Sequence, residues 1–431
     1  MSALNIILIS FIINFLGGFY RTCKPKFSSA WFAGVYWPLL ILVGLWIFYK
    51  PCIIFILLSL GALVLGQMSG RFFKEREISP ADREKLEQIP DFQRWERGHK
   101  WVSDSDTTIV LMNMGGPLNQ EEVEPFLKRL FMDPLIIRFP LSGLLQPLFA
   151  YILVKLRLKE VKRRYALIGG GSPLFESSVQ QVKALENELR KRGRNIDVAL
   201  CFNYTEPFPK GVIKEVRDKD KRFILPLSLY PHYSESTAAS NLFYLKKEAA
   251  AQGADVTFLN CLPYHLYDGY IQAFVDRIHS AIGPQAMMED YYLLFSAHGT
   301  PLYFLTEGDT YSYSVAQSVA RILGVLNRRH NWVISYQSLV GPMQWLKPST
   351  EEVLAALAKK GVKKIIVVPI SFVNDHIETL CEIDMEYREL AEKKLGFTDF
   401  RMTKALECHH SFISALADCA EASLEAHGVN G

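Results

Sequence analysis

With 431 residues, a formal charge of +3 and 49% apolar residues, the chain has material for two α/β domains and an additional segment. Basic and acidic residues are interspersed rather than clustered, and no aromatic-plus-basic module occurs, which excludes a nucleic-acid-binding protein. No C-x-x-C pair occurs among Cys23, Cys52, Cys201, Cys261, Cys381, Cys408 and Cys419, which excludes a disulfide or zinc framework and fits reduced thiols.

Apolar runs from Ala3 to Tyr20, Trp31 to Tyr49 and Cys52 to Leu65 open the chain. Their lengths bracket the about 20 residues that a bilayer-spanning helix needs. Arg21, Lys24 and Lys26 follow the first run, and Arg71, Lys74 and Arg76 follow the third. The positive-inside rule then puts the first loop and everything after Arg71 in the cytoplasm. Residues 1–70 are expected to be a transmembrane region, amino terminus outside, anchoring the chain to a bacterial inner membrane with lipid as a partner. A hairpin dipping into one leaflet is the alternative, because the third run is short. No positive n-region precedes the first run, which speaks against a cleaved signal peptide. Residues 71–106 turn polar and charged, with Pro80 and Pro90 as breakers and a short helix expected around Ala81 to Gln88, and they read as a linker.

The part that follows opens on "TTIVLMNMGGP", a β-rich run closed by Gly115, Gly116 and Pro117. Asn119 can cap the next helix with Glu122, and Val123, Phe126, Leu127, Leu130 and Phe131 share its buried face. Strand, glycine turn and amphipathic helix make the front of a βαβ unit. "YYLLFSAHGTP" repeats that plan before the helical "VAQSVARILGVL". A tighter echo links "RFILPLSLYPHYSEST" with "KKIIVVPISFVNDHIETL", where Pro226 precedes His232 as Pro369 precedes His376. The spacing predicts a duplicated α/β fold, two similar halves with facing strand ends and a ligand cleft between them. The halves are placed at 107–285 and 286–431, the second ending in a C-terminal helix.

His298 ends an apolar strand in a small-residue turn, where open sheets place their chemistry. Taken alone, such a histidine more often satisfies local hydrogen bonds than it catalyses. Glu378, Glu382 and Glu386 then stand at i, i+4 and i+8, a stripe along one helix face, directly after Asp375 and His376. A solvated face is one reading of that stripe; a carboxylate and imidazole path for protons or a divalent ion is the other. No H-E-x-x-H pattern occurs, so a transient metal fits better than a tightly held one. "IGGGSPL" lacks the Lys-Ser/Thr of a phosphate loop, and its glycines permit a tight turn or a close approach to a flat ligand. "ECHH", Glu407 to His410, reads as a surface turn rather than a metal cluster.

The stretches "LMNMGGP", "FMDPLII", "IGGGSPL", "LYPHYSEST", "FSAHGTP", "YQSLVGPMQWLKPST", "VPISFVNDHIETLCEIDMEY" and "FISALAD" occur in this order. In them the chain resembles the ferrochelatase family, from Thr107 to about Ala420, with the hydrophobic first hundred residues outside the resemblance. The resemblance implies two similar Rossmann-like, doubly wound halves with the porphyrin in the cleft, and insertion of Fe(II), a substrate, into a porphyrin, protoporphyrin IX or coproporphyrin III, with release of two protons. It implies that His298 and Glu378 are catalytic and meet the metal, that Asp375, His376, Glu382 and Glu386 form a metal or proton path, and that Met114, Tyr204, Trp345 and Phe372 line the porphyrin pocket. Asn203 departs from the arginine that animal members carry before the tyrosine, and Gly299 from the serine that many carry after the histidine. No permanently bound cofactor is expected. An iron–sulfur cluster is not expected either, because the C-terminal region holds only Cys408 and Cys419. Other readings are a chelatase for another metal and tetrapyrrole, or a membrane-tethered haem or porphyrin carrier. The sequence sets no oligomeric state.

Overall fold

The apolar runs pair into two parallel sheets. The computed structural model describes residues 102–136, 142–283, 285–339 and 344–427. The expected transmembrane region and nearly all of the expected linker lie outside them. Among the described residues no helix is long and apolar enough to cross a membrane.

In the first sheet, β1 (Thr107–Asn113), β2 (Asp197–Phe202), β3 (Phe223–Ser228) and β4 (Thr257–Phe258) lie in the order β2-β1-β3-β4. In the second, β5 (Tyr292–His298), β6 (Trp332–Gln337), β7 (Lys364–Pro369) and β8 (Asp399–Met402) lie in the order β6-β5-β7-β8. The two orders are one order repeated, and every pairing is parallel. β1 is buried along its whole length, which is why it reads as a continuous apolar run rather than as an alternation. The echo in sequence is an echo in register: Pro226 lies beside Val110 of β1, and Pro369 beside Ser296 of β5.

Helices connect the strands, as parallel pairing requires. In the first half these are α1 (Val123–Met132), α2 (Ser142–Leu167), α3 (Leu174–Lys191), α4 (Pro209–Asp218), α5 (Ser240–Ala251) and α6 (Asp268–Ala281). In the second they are α7 (Leu302–Thr306), α8 (Tyr311–Val325), α9 (Thr350–Lys359) and α10 (His410–Glu425). Asn119 does not cap α1 as expected: the helix begins three residues later with Glu122 as its N-cap, and Asn119 Oδ1 instead holds the preceding turn by accepting from the Glu121 and Glu122 amides at 2.9 and 3.1 Å. The Glu122 carboxylate reaches back to the Leu118 amide at 3.0 Å, one residue earlier than a capping box would place it. After β7 the chain forms a π-helix, Glu378–Tyr387. The "IGGGSPL" glycines make a turn: Gly169 and Gly170 have φ of 106° and 95°. A Cβ at Gly171 would lie 2.1 Å from the Leu118 carbonyl oxygen. The close approach is thus to the chain itself.

One apolar core draws on both halves, joining Ile109 and Leu225 of the first sheet to Leu293 and Ile366 of the second. α10 fills its centre, and Phe412 packs with Tyr264 and Tyr270 at ring separations of 6.2 and 6.3 Å. Arg192, after α3, binds Asp418 and Glu421 of α10 at 2.6 and 2.9 Å. These contacts, with the strands, fall in one compact unit, Lys100–Ile136, Ala150–Val340 and Trp345–Gly431. A second unit, Met1–His99, Ile137–Phe149 and Gly341–Gln344, is almost wholly outside the described residues. Phe412 is fully buried, so Phe412→Ala is expected to destabilise the fold by about 3–5 kcal/mol through lost transfer energy and a cavity. Urea unfolding of the variant against the parent measures this.

Candidate active site

β5 delivers His298 to the end of the second sheet, beside Gln337 of β6. Its backbone is held on both sides. The His298 amide donates to Ser371 Oγ at 2.9 Å, and the Tyr311 hydroxyl donates to its carbonyl at 3.0 Å. Gly299 follows because nothing larger fits: a Cβ there would meet the Gln337 carbonyl oxygen and Leu339 Cδ2, each at 2.7 Å. The Trp345 ring lies 3.5 Å from that same point. This accounts for Gly299 where many relatives are expected to carry serine.

The imidazole has Phe372 at its edge, ring centroids 5.9 Å apart, and Phe372 in turn meets the His376 ring at 4.3 Å. His376 Nδ1 lies 2.8 Å from Glu378 Oε2. His298, Phe372, His376 and Glu378 therefore form one continuous group. Burial pushes the His298 imidazole below the ordinary histidine range, against the upward pull of Glu378 and Glu382. Burial alone would raise the Glu378 carboxyl, but the charge and hydrogen bond of His376, helped by His298, bring it down to about 2. At neutral pH the site thus holds a neutral imidazole in the field of an ionised carboxylate. Among the described residues His298 Nδ1 has no hydrogen-bond partner, so the ring keeps a nitrogen available for a proton or a cation.

The remaining acidic positions do different things. Glu382 accepts from the Ser338 amide at 2.8 Å, the Ser338 hydroxyl at 2.6 Å and the Tyr387 hydroxyl at 2.9 Å. It anchors the loop after β6, where Ser338 has φ of 62°. Glu386 pairs with Arg164 of α2 at 3.0 Å. Asp375 accepts from the Thr379 hydroxyl at 2.9 Å and helps burial raise the Glu407 carboxyl. "ECHH" does not converge: Glu407 takes a bond from the Ser177 hydroxyl at 3.3 Å, while His409 faces Asp276 at 3.5 Å. Among the described residues no cluster of three or more potential ligands forms a metal site.

Met114, Trp345 and Phe372 are partly exposed. Tyr204 is turned into the first half instead, 3% exposed, with its hydroxyl on the buried Asp133. Asn203 joins that network through Ser240 Oγ at 3.0 Å. Sequence reasoning missed Tyr165 and Tyr230. Burial raises both phenols, and the Glu378 charge adds to it, so the field of that carboxylate extends to two hydroxyls of the first half. It also missed Gln337, whose Nε2 donates to the Glu378 carbonyl at 3.1 Å while its Oε1 accepts from Ser296 at 2.7 Å. Tyr230 and Gln337 sit inside "LYPHYSEST" and "YQSLVGPMQWLKPST", and Tyr165 stands three residues before "IGGGSPL", which was the available signal.

Fold and site together define a duplicated α/β protein with an imidazole and a carboxylate at the mouth of its second sheet. The ferrochelatase family profile matches residues 106–424. The chain is 41% identical over 323 residues, 74% of its length and 82% of the relative's, to a ferrochelatase of Cyanothece sp. (strain PCC 7425 / ATCC 29141). It is 39% identical over 327 residues, 75% of its length and 83% of the relative's, to one of Thermosynechococcus vestitus (strain NIES-2133 / IAM M-273 / BP-1). The solved structure "SirB from Bacillus subtilis with Fe3+" matches over 75% of this chain and 98% of that one, at 11% identity and a TM-score of 0.46. The chain belongs to the ferrochelatase family.

Because burial lowers the His298 pKa, the ring is neutral above that value and takes up its proton only as pH falls through it. Histidine NMR titration is expected to place the His298 midpoint below the ordinary value of about 6.5. Glu378→Gln removes the upward pull and should move it lower still; a midpoint rising in that variant contradicts the arrangement.

Proposed function

We infer that this chain inserts Fe(II) into a porphyrin, giving haem and releasing two protons. Membership of the ferrochelatase family supports the reaction. The observation that carries the assignment of roles is the partly buried His298, neutral at working pH with an Nδ1 that has no partner among the described residues, in the field of an ionised Glu378.

Metal insertion needs two pyrrole N–H protons to leave while the nitrogen lone pairs turn to the incoming ion. A neutral imidazole accepts such a proton, and a nearby carboxylate stabilises the imidazolium that results. Glu378 also supplies the negative charge that draws a divalent cation to the same place. His376 fixes that carboxylate in position at 2.8 Å. Asp375, His376, Glu382 and Glu386 are proposed as the metal or proton path. Its outer members are held by Ser338, Tyr387 and Arg164, so traffic through them requires those bonds to exchange. Met114, Trp345 and Phe372 are proposed as apolar walls for the macrocycle, with Tyr204 supporting the wall from inside the first half.

No resident cofactor is invoked. Cys408 is exposed ahead of α10 while Cys419 is buried within it, a placement that supports a reading without an iron–sulfur cluster. Residues 1–70 are proposed as a membrane tether that keeps the catalytic part at the cytoplasmic face, where poorly soluble porphyrin and haem partition into lipid.

His298→Ala and Glu378→Gln are each expected to abolish insertion while porphyrin still binds. Anaerobic incubation with Fe(II) and either protoporphyrin IX or coproporphyrin III, read by loss of porphyrin fluorescence, checks this and selects the substrate. Turnover near that of the parent in either variant removes that residue from the mechanism. A chain beginning at Gly98 is expected to be soluble and active on detergent-dispersed porphyrin, while the full chain resists carbonate extraction; a folded but inactive truncation would make the first segment part of the catalytic unit.

A further inference from the structure

Away from the site, two thiols face each other. The sulfurs of Cys261 and Cys419 are 3.8 Å apart. Cys261 lies in the loop that follows β4, and Cys419 lies within α10. Loop and helix are held together around them. Cys419 donates to the Leu262 carbonyl at 3.1 Å, and the Leu262 amide donates to Ser423 Oγ at 2.9 Å. The Asn260 amide donates to His427 Nε2 at 2.8 Å. The backbone is thus already fixed at facing positions, and the sulfurs need only close from contact to a bond of about 2.05 Å. Access is graded as well: Cys261 is partly exposed, whereas Cys419 is buried. The other described thiols do not share this arrangement. Cys381 has Glu386 as its neighbour at 3.8 Å, Cys201 is buried in β2, and Cys408 is exposed.

We propose that Cys261 and Cys419 form a reversible disulfide that clamps α10 to the loop after β4. The oxidant is a peroxide, which ferrous iron in contact with dioxygen generates. The more accessible Cys261 gives up its proton as its sulfur attacks the O–O bond of hydrogen peroxide, the sulfur becomes a sulfenic acid, and the displaced hydroxide leaves with that proton as the first water. The Cys419 sulfur then attacks the sulfenic sulfur, forming the S–S bond and expelling the second water. Two thiols and one hydrogen peroxide give one disulfide and two waters, the sulfurs losing the two electrons that the oxygens gain. A thiol reductant returns both thiols. The bond joins residues 158 positions apart, so its closed loop contains the whole second sheet, and it restricts the unfolded chain strongly.

The test uses the full chain, reduced and then exposed to hydrogen peroxide. Peptide mass spectrometry should find Cys261 linked to Cys419, lighter by two hydrogens. Thermal unfolding should shift upward by roughly 5–10 °C and return on reduction. Cys408→Ser should change neither result. Cys419→Ser should abolish the shift and leave Cys261 as a sulfenic acid that dimedone traps. Cys261→Ser, at the more exposed position, should also abolish the shift, and it serves if the buried variant does not fold. Absence of the linked peptide overturns the proposal. So does an equal shift in both serine variants, or a disulfide that leaves the unfolding midpoint unchanged.

Discussion

The end of β5 is the constraint on which the site depends. Parallel neighbours on both sides fix its register, with His298 opposite Gln337 and Ser296 opposite Pro369. Ser371 and Tyr311 then bind the two backbone groups of His298, so only the side-chain torsions remain free. A group that must meet a reacting atom within a few tenths of an ångström gains from such rigidity. The missing Cβ at Gly299 belongs to the same constraint, because it lets the chain after β6 pass directly against the histidine turn. That passing chain carries Ser338, which holds Glu382. One strand end thereby positions both the imidazole and a carboxylate from an element 80 residues on.

The acidic stripe raises a problem that the structure answers locally. Like charges a turn apart on a helix repel by roughly 0.2–0.5 kcal/mol per pair. The π-helix widens the turn, and each carboxylate then finds a different partner. Glu378 is matched by His376, Glu382 by three hydrogen-bond donors, and Glu386 by Arg164 from the first half. The negative charge is therefore least compensated by protein cations at Glu382, where neutral donors alone hold it. Read from Glu386 back to Glu378, an ion-paired carboxylate is followed by a hydrogen-bonded one and then by the carboxylate beside His376.

Much of the fold was legible because its signals are local. Continuous apolar runs ended by glycine or proline read as buried parallel strands, and β1, β3, β5 and β7 are such strands. The repeated Pro-apolar-Ser pattern identified the duplication before any pairing was known. His298 stood out as a polar residue at an apolar strand's end, and Glu378, Glu382 and Glu386 by their spacing. What could not be read depends on partners distant in sequence. Tyr204 turns inward because Asp133, 71 residues earlier, captures its hydroxyl, and nothing around Tyr204 indicates that. Tyr311 and Ser371 hold His298 through backbone groups, which leave no side-chain pattern. The π-helix was hidden because spacings of four residues suit an α-helix as well.

The duplication also shows how one plan serves two ends. His232 and His376 follow equivalent strands, β3 and β7, yet their surroundings oppose one another. His232 is 1% exposed, its Nε2 lies 3.0 Å from Ser318 Oγ, and His265 and Tyr311 pack around it at 5.8 and 6.1 Å. Burial, with His265 beside it, pushes its pKa down to about 3. The unfolded chain takes up that proton near pH 6.5 and the folded chain does not. His232 therefore supports the fold at neutral pH, and its contribution is lost as pH falls from about 6.5 toward 3. His376 keeps a carboxylate 2.8 Å away and stays partly exposed. The first half has used its histidine to join the halves, since Ser318 belongs to α8 of the second. The second half has kept its own beside Glu378, so the same position in the repeated plan serves packing in one half and a carboxylate contact in the other.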